Sequence, residues 1–137
     1  MEESSPAKLY ATVAGVVLTI GGIVGFFYTS SFGSPGNVGE LFGIFDVNGW
    51  HNVLHLATGL LGLAAAGYAA RAYALGLGLV YLAIAVWGFA IGGGDAILSV
   101  IPVNTDDNVL HLIVGVLGVA AGLARPIRSA RTGSAPA

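Results

Sequence analysis

The chain has three histidines, and two of them sit in a five-residue phrase that occurs twice, Asn52-Val53-Leu54-His55-Leu56 and Asn108-Val109-Leu110-His111-Leu112. The third, His51, lies four residues before His55, and the matching place before His111 is held by Asp107. A four-residue step on a helix brings two side chains onto one face. His51 with His55 and Asp107 with His111 therefore form two pairs, which meet if the helices that carry them turn those faces toward each other. Three imidazoles and a carboxylate suit zinc, copper or iron, with the amides of Asn52 and Asn108 at hand to orient the ligands. His55 and His111, at one depth on facing helices, also offer the two axial ligands of a b-type haem. The haem ranks below the metal, because the glycine-rich faces beside both residues show no widened pocket.

The same residues have a structural reading, which is the one the sequence favours. Asn48 and Asn104 stand where each histidine-bearing helix would begin, with His51 and Asp107 three residues on, as in a helix-capping arrangement. Asn52, Asn108, His55 and His111 can bond across helices or to loop backbone, each bond contributing roughly 0.5 to 2 kcal/mol in a membrane bundle. On that reading Asn48, Asn52, Asn104 and Asn108 are a structural polar cluster, and no cofactor is needed.

Such residues need elements to position them, and the composition says of what kind. The 137 residues are 55% hydrophobic and only 9% charged, with a mean hydropathy of +0.84, too apolar for a soluble surface. Runs long enough to cross about 30 Å of hydrocarbon cover Leu9 to Tyr28, Trp50 to Ala70, Ala72 to Ile91 and about Asn108 to Ala124. Lys8, Arg71, Arg125, Arg128 and Arg131 all fall on one side of that four-helix path. By the positive-inside rule the termini are cytoplasmic and the chain is a multi-pass protein of the plasma membrane. There is no cysteine and hence no thiolate chemistry. The net charge of −2, with no basic cluster, excludes nucleic acid as a partner. The expected partners are the lipid bilayer and either a second copy of the chain or another membrane protein.

The doubling extends beyond five residues. Val47, Asn48, Asn52, His55, Gly59 and Gly62 match Val103, Asn104, Asn108, His111, Gly115 and Gly118 at an offset of 56 residues, and Tyr10, Gly15 and Gly25 match Tyr73, Gly78 and Gly88 at 63. The fold expected is an all-α membrane protein of four transmembrane helices, built from two parallel helix-loop-helix repeats. It forms one domain over residues 1–137, with units 8–70 and 71–125 and a flexible tail, 126–137. The apolar stretches before Asp46 and Pro102 are expected as short interfacial helices, and the glycine-rich stretch 29–39 as a flexible turn. Gly21 with Gly25, and Gly88 with Gly92, have the four-residue spacing of close helix packing.

The paired motifs VN..HN.LHL and PVN..DN.LH resemble those of a family of small four-helix bacterial and archaeal membrane proteins of unknown function. The resemblance runs from Lys8 to about Arg125 and implies the four-helix membrane fold, but no activity. The sequence is therefore read as a non-enzymatic structural or accessory scaffold, since it shows no nucleophile elbow and no Ser–His constellation. The alternative is a metal- or b-haem-binding membrane protein using His51, His55, Asp107 and His111. A small transporter ranks last, because the polar residues stop one to two turns below the outer surface and lay out no path across.

Overall fold

The computed structural model describes residues 5–125; the expected tail 126–137, with Arg128 and Arg131, lies outside the described residues. In chain order the elements are α1 (Pro6–Gly25), β1 (Gly39–Leu41), β2 (Phe45–Val47), α2 (Gly49–Ala65), α3 (Ala70–Ile91), β3 (Asp95–Ile97), β4 (Ile101–Val103) and α4 (Thr105–Leu123). Three of the helices, α1, α3 and α4, are long and apolar enough to cross a membrane. The 17 residues of α2 reach about 26 Å at 1.5 Å each. Ser5 caps α1, accepting from the Lys8 N–H, and Pro6 opens its first turn where no backbone donor is required.

The stretches expected as interfacial helices are β-hairpins instead. Leu41 pairs with Phe45 in one and Ile97 with Ile101 in the other, both antiparallel. A short apolar run carries no periodicity that separates helix from strand. What decides is backbone satisfaction: too few residues are present for a stable helix, whereas folding back pairs the N–H and C=O groups directly. Both turns place two successive residues at positive φ, Phe42 and Gly43 in the first and Leu98 and Ser99 in the second. That backbone twist matches the twist of the strands it joins.

The glycine-rich stretch, expected as a flexible turn, is tied down. Thr29 Oγ1 donates to the Asn37 carbonyl, the Asn37 N–H donates to Ser31 Oγ, and the Gly49 N–H donates to the Ser31 carbonyl at 2.7 Å. Trp50 Nε1 donates to the Phe32 carbonyl, and the two rings meet edge to face.

Helix α1 packs chiefly on α2, and α3 on α4. Small residues carry both contacts. A methyl on Gly15 would lie 2.9 Å from the Leu63 nitrogen and 3.0 Å from the Gly59 oxygen; one on Gly78 would lie 2.7 Å from Val119 nitrogen and 3.0 Å from Gly115 oxygen. Gly25 and Gly88 similarly admit the side-chain amides of Asn52 and Asn108. Gly21 and Gly92, expected to share this packing, do not: a methyl on either would meet nothing within 4 Å. The face is set by Gly15, Gly22 and Gly25, all buried, and Gly21 is turned about 100° from Gly22.

Between the pairs the contacts run crosswise. Tyr10 Oη donates to the Val114 carbonyl and fits against Gly118, while Tyr73 Oη donates to the Thr58 carbonyl and fits against Gly62, both bonds at 2.9 Å. Their rings lie 6.4 Å apart, in a core with Ala11, Leu18, Leu77 and Tyr81. At the other end Asn48 Nδ2 donates to the Val100 carbonyl of the second hairpin, and Asn104 Nδ2 to the Ile44 carbonyl of the first.

Candidate metal centre

Local sequence fixes where α2 and α4 begin. Asn48 Oδ1 accepts the His51 N–H and Asn104 Oδ1 the Asp107 N–H, each at 2.9 Å, so each asparagine stops the strand before it and opens a helix. At α4 the cap is reciprocal, because Asp107 Oδ2 accepts the Asn104 N–H. His51, one turn into α2, and His55, a turn further, then share a face, and His111 faces them from α4.

The three imidazoles converge. One ligand nitrogen from each of His51, His55 and His111 lies within 4.8 Å of the other two. His51 Nε2 and His55 Nε2 are 3.1 Å apart. His51 and His111 are nearly fully buried and His55 partly so. The Nδ1 atom of His111 is buried without a hydrogen-bond partner, while the His51 ring stands against the backbone of Asp46 and Pro102. Tyr81 sets its ring edge to face against His111 at 5.2 Å between centroids. Sequence reasoning missed Tyr81; its step of three from Gly78, on the packed face of α3, was the available signal.

Asp107 stands outside this set. Its Oδ2 accepts from both the Asn104 and Asp46 N–H groups at 2.9 Å, which ties the start of α4 to the first hairpin. Asp46 itself lies on that hairpin, where burial raises its carboxyl above the usual carboxylate range. The asparagines also have separate duties. Asn52 Nδ2 donates to the Thr29 carbonyl just past α1, while the side-chain oxygens of Asn52 and Asn108 lie buried against Gly25 and Gly88 without a conventional donor.

A metal fits this arrangement and a haem does not. Two imidazole nitrogens on one tetrahedral zinc, each bonded at 2.0–2.1 Å, are held about 3.3 Å apart, close to the His51–His55 separation of 3.1 Å. A macrocycle between His55 and His111 would have to occupy the place of the His51 ring, whose centroid is 4.4 Å from one and 5.9 Å from the other.

Two apolar cavities flank the histidines. One, of about 110 Å³, lies between α2, α3 and the second hairpin; the other, of about 300 Å³, lies between α1, the first hairpin and α4. Both reach His55 and His111.

Comparison with known proteins adds kinship without chemistry. No curated protein and no solved structure matches the chain. Residues 8–124, which include both glycine-packed helix pairs, both hairpins and every histidine, match one family, and the chain thus belongs to the family described as a domain of unknown function, DUF4383.

Proposed function

We propose that the protein crosses the membrane four times and holds a transition metal on His51, His55 and His111 beneath its outer surface. The observation that carries the metal is the convergence of three imidazole nitrogens from two helices within 4.8 Å of one another. Three neutral imidazoles with a fourth position open are a zinc or copper ligand set. Asp107, held by two backbone donors, serves the frame rather than the ion.

The frame on this reading is a doubled helix–hairpin–helix unit, 8–70 and 71–125, forming one domain. Its support is the crosswise pairing: Asn48 with Val100 against Asn104 with Ile44, and Tyr10 with Val114 against Tyr73 with Thr58, each pair related by the offsets of 56 and 63. Helix α2 is the fourth span, short for hydrocarbon and completed by the Ala66–Ala69 turn. Placing Lys8, Arg71 and Arg125 at the cytoplasmic face puts both termini inside and the hairpins outside. A second copy or another membrane protein is the partner in keeping with an accessory role.

The test is metal content. The protein purified in neutral detergent should carry about one metal ion per chain, and His51→Ala, His55→Ala and His111→Ala should each lose it. Chelator should lower the melting temperature of the wild type and leave the variants unchanged, because metal bound only to the folded state adds its binding free energy to stability. A folded wild type that takes up neither zinc nor copper overturns the reading. The second reading, in which the histidines are only interhelical glue, draws on the His51 Nε2···His55 Nε2 contact taken as a hydrogen bond. It requires the substitutions to destabilise and chelator to do nothing.

A further inference from the structure

The two cavities beside the histidines are lined at matching positions but are not equal. The narrow one has Tyr81 and Ile84 in its wall; at the matching places the wide one has Leu18 and Gly21. Gly21 serves no packing role, since a methyl there meets no atom within 4 Å. The wide cavity starts at Val17 and Ile20, 60% and 56% exposed on the outer face of α1, and ends at His55, His111 and Asp107. If α1 spans the bilayer, that mouth opens to lipid.

A metal on three neutral imidazoles is a net positive charge in apolar surroundings, and buried charge persists only with a counter-charge. Asp107 lies outside the convergent imidazole set, its Oδ2 being taken by the N–H groups of Asp46 and Asn104, so the fourth position on the metal stays open to an outside anion. Among the described residues the basic side chains, Lys8, Arg71 and Arg125, lie toward the opposite end of the helices, so a phosphate headgroup would find no basic partner among them. A carboxylic acid travels through an apolar medium neutral and binds a metal ionised.

Resting on the metal reading above, we propose that the cavity between α1, the first hairpin and α4 takes a long-chain carboxylate from the bilayer, with its oxygen as the fourth ligand. The acid's oxygen displaces a water from the metal, and its O–H proton passes to water. The alkyl chain fills the space beside Gly21.

The full chain, loaded with Co²⁺ in neutral detergent, reports its own coordination through its visible absorption. Dodecanoate should shift that spectrum saturably, and at least about tenfold more tightly than acetate, since each buried methylene contributes about fourfold in affinity. Gly21→Leu, which fills the cavity at a position with room for it, should bind Co²⁺ as the wild type does and lose dodecanoate affinity by at least about tenfold, the equivalent of two buried methylenes. Acetate binding as tightly as dodecanoate, or Gly21→Leu responding like the wild type, overturns the carboxylate site while leaving the metal in place. A wild type that binds no Co²⁺ removes the metal reading and this proposal with it.

Discussion

Asn48 of the first half reaches the Val100 carbonyl of the second hairpin, and Asn104 of the second half reaches Ile44 of the first; three residues further on the halves diverge. Asp107 accepts two backbone donors, one of them the Asp46 N–H of the opposite hairpin. The matching helix residue is His51, and the residue matching Asp46 is Pro102, which has no N–H to give. Where the frame asks for no acceptor, the position is released from carrying an acid. His51 turns instead to His55, with Nε2 atoms 3.1 Å apart. A third imidazole thus stands where the hairpin offers no N–H to a carboxylate, and two positions of like sequence context carry different groups.

The sharpest way to break this division is to remove both residues in turn. His51→Ala should abolish bound metal, measured by elemental analysis of the purified protein. Asp107→Ala should keep the metal while destabilising the fold by about 2–4 kcal/mol, because it leaves two backbone donors unpaired, read as a lowered melting temperature. If Asp107→Ala purifies folded and metal-free, the carboxylate is a ligand and the division of labour is wrong.

How much of this was readable beforehand depends on distance along the chain. The caps at Asn48 and Asn104 were legible, since a cap is a local pattern spanning four residues. The four-residue step from His51 to His55 was legible for the same reason. That Asp107 would meet the Asp46 N–H, 61 residues away, was not, nor that His111 would face His51 from another helix; both depend on how two helix pairs dock. The hairpins escaped because GELFGIF and DAILSVI are too short and too uniformly apolar to show a period.

The glycines sharpen the comparison next. Gly25 and Gly88 hold matching places against Asn52 and Asn108, and a methyl on either overlaps the amide oxygen. Gly25→Ala and Gly88→Ala should therefore each destabilise by about 1–3 kcal/mol through overpacking, and by similar amounts. Gly21→Ala, with open space around it, should be neutral or stabilise by up to about 1 kcal/mol from helix propensity alone. Thermal melts of the three variants in one detergent check this order. A Gly21→Ala that destabilises as much as Gly25→Ala would mean that α1 packs on a different face.

The smallest effects test the end of the helices away from the hairpins, where the halves are most alike. Tyr10 and Tyr73 each donate a phenolic hydrogen bond of 2.9 Å to a carbonyl in the opposite pair, Val114 and Thr58 respectively. Phenylalanine keeps the ring in its place against Gly118 or Gly62 and removes only the bond. Each substitution should lower stability by about 0.5–1.5 kcal/mol, toward the lower end if the bond lies within the bilayer. The two losses should be similar, because donor, acceptor and neighbouring glycine match. With ring centroids 6.4 Å apart, the double variant should depart from additivity only modestly. Equal single losses in a double-mutant cycle would support the doubled frame at its centre; a loss confined to one tyrosine would show that only one half bears on the other there.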